Sequence, residues 1–415
     1  MKTKTISFFT ILFLPLVINA SFYNFNSTLI GNKAAGMGGA FTAVSGDLTA
    51  APFYNPATLT LIEGINVSAS VSLYNKYDIQ YNNKSQFWEA PLRINQGKIV
   101  ALPVSSGSLY NFKNFAVGLS IILPDFDSYQ GLISSSSSNS TSLNFRDESL
   151  WIGGSLAYNL SSSTSIGLTI YYTSRSFYSS LLDRSESAGV TTVSNEEKSI
   201  KTNSLIYTLG FYKKMTPELA VGLRARLPSI PVSGKGSIYS SVIQDNAPAP
   251  PLESFTDLVA DERIPQEYAL GLAYEKKRKL TWSCDITFSP KEHFYDFPHF
   301  SQRSLQEYKD TWNIKFGMEY FLNKWAALHW GMFSNFSSQP DIPDHPSQPY
   351  GDHIDMWGFS TNISLFTNYN STLTLGGYYS GGKGYAAHQV AQQKYVKIPK
   401  SLQVFSFLVG TAFNF

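Results

Sequence analysis

Apolar and polar residues alternate along many short segments of the chain. In residues 280–288, LTWSCDITF, every second side chain is apolar and those between are polar. Successive side chains of a strand point to opposite faces, so this segment predicts a strand with one apolar and one polar face. We predict an all-β protein of fourteen strands, with twelve or sixteen as alternatives. The candidate segments lie near residues 64–79, 92–106, 113–126, 146–160, 164–178, 200–214, 218–232, 264–276, 279–290, 309–322, 325–336, 352–367, 371–382 and 399–415.

The connections between these segments are of two kinds. Every second link is short, as at residues 161–163, 215–217 and 277–278, whereas the others are long and polar, as in the proline-rich run at 247–251. A soluble β-sandwich would share the alternation, but short turns at one end and long loops at the other are typical of a bacterial outer-membrane barrel. The chain also ends on Phe415, which resembles the terminal signal of such proteins. We therefore predict a transmembrane antiparallel β-barrel.

Composition supports this class. The chain has 415 residues, of which 15% are charged and 15% aromatic, and its net charge is +2. This near-neutral balance gives no basic patch for nucleic acid. Cys284 is the only cysteine, so the protein cannot be a secreted domain held by internal disulfides. Few charges, many aromatic residues and no long apolar run are together typical of a transmembrane barrel.

The first twenty residues have the pattern of a cleaved signal peptide. Lys2 and Lys4 precede an apolar run over residues 6–18, and a small residue, Ala20, closes the segment. A membrane anchor is the alternative, but the run is shorter than the ~20 residues that a spanning helix needs, and Pro15 interrupts it. We expect cleavage after Ala20 and a mature chain that begins at Ser21.

Residues 32–63, between this signal and the first strand, are rich in glycine and alanine. Small residues allow backbone to approach backbone closely, which suits a compact plug. The stretch ends in Asn55-Pro56-Ala57, where Asn55 can cap a short helix and Pro56 can occupy its first position. An ordinary capped helix in a soluble domain is the alternative. We predict an N-terminal hatch over residues 21–63 that plugs a barrel formed by residues 64–415.

The run GMGGAFTAVSGD followed by YNPATL resembles the long-chain fatty acid outer-membrane transporter family, the FadL-like proteins, which include aromatic-hydrocarbon (TodX-like) transporters. In that family a hatch with an Asn-Pro-Ala motif plugs a fourteen-stranded barrel. The sequence departs from many members at Thr58 and at Gly46, which leaves the substrate type open. The residues that carry the resemblance are Asn55, Pro56 and Ala57, preceded by Gly36, Gly38, Gly39 and Asp47.

The resemblance implies passive uptake of hydrophobic small molecules such as long-chain fatty acids or aromatic hydrocarbons. The implied route begins in an apolar groove among the loops, continues to a pocket near the mature N-terminus, and leaves sideways through a kinked third strand. Glycine and proline weaken strand pairing, although a proline can also simply end a strand. The groove candidates are Phe255, Leu258, Phe294 and Phe297, for which loop packing or aromatic anchoring at the membrane surface is the alternative. The pocket candidates are Ser21 and Phe22, and the exit candidates are Gly118, Ile122 and Pro124.

Arg224 and Arg226 fall on the polar face of their strand, so we expect both to face the lumen, because a charge on the lipid face is costly. There they could hold a substrate carboxylate, and a purely structural ion-pair network is the alternative.

Other functions have less support in the sequence. The six histidines are not spaced as a metal pair, and residues 358–362, GFSTN, only approach a nucleophile elbow, so we expect no enzyme, cofactor or metal. A general porin and a structural or adhesive surface protein remain alternatives. Besides a hydrophobic ligand, the expected partners are outer-membrane lipid, lipopolysaccharide and the barrel assembly machinery, and no nucleic acid.

Overall fold

A computed structural model describes residues 23–81, 92–134, 140–187, 189–245, 253–301, 305–346, 350–367, 370–391 and 394–415. The predicted signal peptide, together with Ser21 and Phe22, lies outside these residues. The strands are β1 Ile65–Tyr81, β2 Leu92–Asn111, β3 Phe115–Ser134, β4 Ser140–Ser161, β5 Thr164–Ser187, β6 Val190–Lys214, β7 Leu219–Arg226, β8 Ile230–Gln244, β9 Glu253–Val259, β10 Glu267–Lys276, β11 Leu280–Ser289, β12 Glu292–Tyr295, β13 Leu305–Tyr308, β14 Thr311–Asn323, β15 Ala326–Asn335, β16 His353–Phe366, β17 Ser371–Ala391 and β18 Lys394–Asn414.

Fourteen of these strands form a closed antiparallel barrel, which confirms the predicted fold and strand count. Each barrel strand pairs with the next one along the chain, and β18 closes the ring on β1, where Phe413 lies opposite Val67. Strands β8 and β9 continue the sheet beside β6, and β12 pairs with β13 in a separate hairpin. Closure of the ring removes the two free edges of an open sheet, which a bilayer would not tolerate.

The two faces of the wall carry opposite chemistry. In β11, Trp282 and Ile286 point outward with 44% and 42% of their surfaces exposed, whereas Ser283 and Asp285 point inward and are each 1% exposed. An apolar outward face and a polar inward face are what a bilayer requires of a barrel that spans it. The predicted alternation is therefore confirmed as a lipid-facing exterior, and the architecture is that of a bacterial outer-membrane β-barrel.

The strands differ greatly in length. Strands β10, β11 and β15 have 10 residues each, whereas β5 and β6 have 24 and 25. A tilted strand of ~9–11 residues already crosses the bilayer. Much of β3–β6 therefore stands above the membrane on the long-loop side, beyond the ends expected from the sequence.

The predicted seventh strand, residues 218–232, is divided in the structure. β7 ends at Arg226, and β8 starts at Ile230 and pairs farther along β6. Pro228 and Pro231 flank this step, and proline has no N–H for a sheet ladder. The loop expected to hold Phe294 is likewise not wholly irregular, because Phe294 belongs to the β12–β13 hairpin.

The hatch lies inside the barrel and consists of helices α1, Lys33–Gly36, and α2, Ala51–Tyr54, and a 3-10 helix, Pro56–Leu61. No helix in the described part of the chain is long and apolar enough to cross a membrane. Inward-facing glycines of the wall make room for the hatch backbone. A β-carbon at Gly222 would collide with the Thr42 carbonyl, and one at Gly331 would collide with Gly38.

Candidate functional site

The Asn-Pro-Ala motif joins two parts of the hatch to the barrel wall. The buried Asn55 amide nitrogen donates to the carbonyl oxygens of Thr42, at 2.7 Å, and of Phe211 on β6, at 2.9 Å. Its amide oxygen accepts from the Ala57 N–H at 3.1 Å, which caps the 3-10 helix that begins at Pro56. The hydroxyl of Ser165 on β5 donates to the Ala57 carbonyl at 3.0 Å. Each residue of the motif thus has a defined place at the contact with the wall.

Asp47 organises the remainder of the hatch. Its carboxylate accepts from the N–H groups of Asn32, at 2.7 Å, Ala34, at 3.1 Å, and Thr49, at 3.2 Å. Gly38 and Gly39 have positive φ angles of 65° and 73°, which favour glycine. Gly36 packs against the wall, because a β-carbon there would lie 2.7 Å from the Cβ of His329. The small residues noted in the sequence therefore serve the close packing of the plug.

Further polar contacts fix the hatch on the other side of the barrel. The Asp285 carboxylate on β11 accepts from the N–H groups of Phe41 and Thr42, both at 2.8 Å. Asn362 on β16 donates to the Asn32 carbonyl at 2.8 Å. Since these bonds reach strands across the ring from β5 and β6, the hatch is held from several directions.

Below the hatch, on the short-turn side, Glu319 links the hatch to two strands. Its carboxylate lies 2.7 Å from the Lys33 ammonium and 3.2 Å from Nε2 of His329. Burial alone would lower the pKa of Lys33, but the Glu319 carboxylate raises it, so Lys33 is charged at neutral pH. These side chains line a cavity of about 250 Å³.

The predicted lumen arginines lie above the hatch and are both buried. Arg224 forms an ion pair with Glu267 on β10 and donates to the Phe53 carbonyl at 3.2 Å. Arg226 lies 3.7 Å from the same carboxylate and donates to the Asn26 side chain at 3.1 Å. The pair therefore ties β7 to β10, to the helical part of the hatch at Phe53 and to the N-terminal part of the hatch at Asn26.

The N-terminal part of the hatch, residues 23–30, crosses the lumen and is called here the strap. At one end, the Tyr23 carbonyl accepts from the Ser338 N–H at 2.6 Å. At the other, the Thr28 N–H donates to the Pro124 carbonyl on β3 at 3.0 Å, and the Ser27 N–H lies 3.3 Å from an Asp125 carboxylate oxygen. The strap thus leads from the loop side of the lumen to the kink in the third strand.

The wall is broken between β2 and β3 at that kink. The two strands pair from Asn111 and Ala116 to Ser105 and Ile122, and beyond this point no pairing joins their described residues. The break is called here the β2–β3 gap. Above it β2 remains paired with β1, and β3 remains paired with β4 after a register shift between Ile122 and Asp125.

Along the gap, side chains form hydrogen bonds with the backbone of β3 in place of a neighbouring strand. The Tyr77 hydroxyl of β1 donates to the Phe126 carbonyl at 3.1 Å, and the Gln96 side chain accepts from the Gln130 N–H at 2.9 Å. An unsatisfied backbone group in a bilayer costs several kcal/mol, so these bonds allow the ladder to stay open. Beside the gap, Ile99 on β2 is 85% exposed on the outside, whereas Ile122 is fully buried inside.

The exit candidates therefore differ in position. Pro124 lies at the gap and Ile122 at its lower rim, facing inward as the alternation predicted. Gly118 lies within the continuous part of the sheet, paired with Leu109 and Ser155. The expectation that Gly118 weakens pairing is wrong, because its neighbours keep both ladders regular around it.

The groove candidates fall into two clusters. Leu258 and Phe297 pack with Phe177, Ile200 and Phe300, and the Phe255 ring lies 4.9 Å from that of Phe300. Phe294 instead packs with Tyr23 and Tyr308. The sequence interpretation missed Phe177, because its inward position in a long extramembrane extension of β5 gives no local signal beyond a single aromatic residue.

No group of three or more histidine, cysteine, aspartate or glutamate side chains within the described residues could hold a metal ion. No known family profile matches the sequence, and no curated protein matches it. Solved structures do match. A Pseudomonas aeruginosa FadL homologue superimposes with a TM-score of 0.69 at 14% identity, over 94% of this chain and 99% of that chain.

Two further structures give similar results. The Pseudomonas putida toluene transporter TodX superimposes with a TM-score of 0.66 at 14% identity, over 93% of this chain and 98% of that one. The CymD monoaromatic hydrocarbon channel superimposes with a TM-score of 0.62 at 14% identity, over 94% of this chain and 99% of that chain. This chain therefore has the fold of a FadL homologue and of the hydrocarbon channels, as the Asn-Pro-Ala hatch had indicated.

Proposed function

We propose that this protein takes up hydrophobic small molecules passively and releases them sideways into the membrane through the β2–β3 gap. The loss of pairing above Ser105 and Ile122, while both strands continue, carries this proposal. A continuous wall offers no lateral path, whereas the ladder opens one position above the lipid-facing pair of Ser106 and Ile121, on the side of the outward-facing Ile99.

The hatch is the second support, because it favours a lateral route over an axial one. It is bonded to the wall at Phe211 on β6, at Asp285 on β11 and at Asn362 on β16. A molecule that followed the barrel axis would have to displace these contacts. An apolar molecule would also have to enter a polar cavity beside Lys33, which is unfavourable for apolar surface.

Apolar residues near the gap and the loops support a hydrophobic substrate. Val104, Ile122 and Trp151 are fully buried on the inner side of the wall near the gap, and the Phe297 cluster lies among the loops. Ligand sites are mostly apolar with few polar groups. The named neighbours, a FadL homologue and a toluene transporter, are consistent with either fatty acids or aromatic hydrocarbons as substrates.

Closing the gap tests the proposal. In a Cys284→Ser background, Gln96→Cys and Gln130→Cys are bridged by a short bifunctional maleimide, because these residues already meet at the upper part of the gap. The matched control, Ser106→Cys with Ile121→Cys, bridges a directly paired position in the continuous ladder. Uptake of radiolabelled toluene and palmitate is then measured in cells that produce each variant.

We expect the bridge across the gap to reduce uptake at least tenfold and the control bridge to leave it unchanged. Without the linker, the Gln96→Cys/Gln130→Cys variant kept under reducing conditions should show normal uptake. Normal uptake while the gap bridge is complete would exclude lateral release at this position.

A further inference from the structure

We propose that a row of aromatic side chains forms a binding track for uncharged aromatic ligands, which leads from the loop cluster to the β2–β3 gap. The row begins on the inner faces of β1, β3, β4 and β5 and continues in the segment after β12 and on β9. The inference rests on the proposed function and specifies its substrate class and its path. The track follows the wall instead of passing the arginines at the centre of the lumen. Its rings are those of Tyr77, Tyr129, Phe145, Phe177, Phe297, Phe300 and Phe255.

The half of the track beside the gap is built from neighbouring strands. Tyr129 on β3 and Phe145 on β4 lie opposite each other in the ladder, with stacked rings whose centroids are 4.8 Å apart. Phe145 meets Phe177 on β5 edge to face at 5.6 Å. In the other direction, Tyr129 lies 6.1 Å from Tyr77, whose hydroxyl bonds to the Phe126 carbonyl on the gap edge of β3. The row therefore reaches the gap itself.

The other half reaches the loops. Phe177 lies opposite Ile200 on β6, Ile200 lies opposite Gly236 on β8, and Phe177, Ile200 and Phe297 share one buried cluster. A β-carbon at Gly236 would lie 2.6 Å from the Phe297 ring, so glycine provides the space for that ring against β8. Phe300 follows at 6.3 Å from Phe297. Every step between consecutive rings of the row is thus a direct packing contact or a shared cluster.

The charges beside the track exclude a carboxylate ligand. Among the described residues, three buried cations lie along the track, and each has an acidic partner. Lys198 lies 2.7 Å from Asp296, Arg175 pairs with both Asp147 and Glu262, and Lys400 pairs with Asp352. A ligand carboxylate would have to displace one of these acids or remain unpaired, and an unpaired buried charge is strongly unfavourable. An uncharged ligand meets no such cost.

The rings favour an aromatic ligand over a simple alkane. Edge-to-face and offset-stacked ring pairs gain ~0.5–1.5 kcal/mol beyond the burial of area. The contacts already present within the row include both geometries, with interplanar angles of 16° for Tyr129 and Phe145 and 83° for Phe145 and Phe177. A flat ligand ring can form stacked and edge-to-face contacts of the same kind with one ring of the row after another.

Equilibrium binding tests the track. The full-length protein in nanodiscs is titrated with radiolabelled naphthalene and with 2-naphthoate, and binding to empty nanodiscs is subtracted. The variants are Phe145→Ala, Phe177→Ala and Phe145→Leu, the last of which keeps apolar volume without a ring. Phe333→Ala is the matched control, because Phe333 is a buried phenylalanine of β15 in a cluster that contains none of the seven rings of the row.

We expect naphthalene to bind the wild type at least tenfold more tightly than 2-naphthoate does. Phe145→Ala and Phe177→Ala should each weaken naphthalene binding at least tenfold. Phe145→Leu should weaken it severalfold, and Phe333→Ala should change it less than threefold. Unchanged naphthalene affinity in both alanine variants would overturn the track, and so would equal affinity for the two probes. Binding requires no exit, so this result is independent of the cross-linking result that decides lateral release.

Discussion

Replacement of Asn55 should undock the hatch without unfolding the barrel. The Asn55 side chain is fully buried and makes three hydrogen bonds, to the Thr42 carbonyl, the Phe211 carbonyl and the Ala57 N–H. In Asn55→Ala all three partners lose their bond inside a packed interface. Each buried group left unsatisfied costs ~1–3 kcal/mol, so the docked state should lose roughly 3–6 kcal/mol in total, allowing for partial relaxation. The ratio of undocked to docked hatch should then rise about a hundredfold or more.

Asn55→Asp sharpens this expectation, because aspartate has nearly the same shape. It keeps an acceptor for the Ala57 N–H but directs a carboxylate oxygen at the carbonyls of Thr42 and Phe211, so undocking should be at least as strong. The matched control is Asn159→Ala, since the Asn159 amide donates to the Lys113 carbonyl at an exposed short turn.

Two assays should respond together. Hydrogen exchange of the Phe41, Thr42 and Ala57 amides should accelerate at least tenfold in both Asn55 variants, and planar bilayers should show transient openings that the wild type lacks. The thermal transition of the barrel should stay within a few degrees, because the hydrogen-bonded ladders of the wall are intact. Wild-type amide protection together with a closed channel in Asn55→Ala would refute the assigned role of the motif.

Two further predictions concern buried charges. Arg224→Ala combined with Arg226→Ala leaves Glu267 without these two partners and should destabilise the protein by about 3–5 kcal/mol in denaturant titrations. Naphthalene uptake should stay within twofold of the wild type. Unchanged stability with a selective loss of palmitate uptake would instead identify a carboxylate site. Glu262, in the segment 260–266 between β9 and β10, contacts Arg175, which also pairs with Asp147. Burial raises the pKa of Glu262 from 4.5 to about 8. Because the folded-state pKa is raised, the stabilisation that the protonated Glu262 gives to this segment is complete below pH 4.5 and is lost as the pH rises through about 8. Amides of residues 260–266, corrected for intrinsic exchange, should open more readily at pH 9 than at pH 6, and Glu262→Gln should remove the difference; an identical dependence in both proteins would contradict the assignment.

The barrel could be predicted from the sequence because its signal is local and repeated. A segment such as residues 280–288 shows both faces of the wall directly, since lipid requires apolar side chains at every second position. The Asn55-Pro56-Ala57 segment also carries its own cap chemistry, and the 3-10 helix begins where Pro56 allows it. Above the membrane the outward face meets water, so alternation weakens, and the extensions of β5 and β6 were accordingly missed.

The candidate site was only partly predictable, because it depends on contacts between distant segments. Pro124 marked the kink, but the position of the gap depends on the Thr28 and Tyr77 bonds that replace the ladder, and neither can be read from β3. Phe294 and Phe297 are three positions apart in sequence, yet strand β12 ends between them and their side chains pack in different clusters. The spacing of two residues along a loop does not predict which cluster each side chain joins.

Photolabelling most directly tests whether ligands leave through the wall. The protein in nanodiscs is equilibrated with an uncharged aromatic diazirine and irradiated, and the labelled residues are identified by mass spectrometry in the presence and absence of excess naphthalene. We predict competed labels on Val104 and Ile122, at the β2–β3 gap, and none at Lys33 or His329 below the hatch. Competed labelling of Lys33 and His329, with the residues at the gap unlabelled, would show that the ligand passes along the barrel axis and would contradict lateral release.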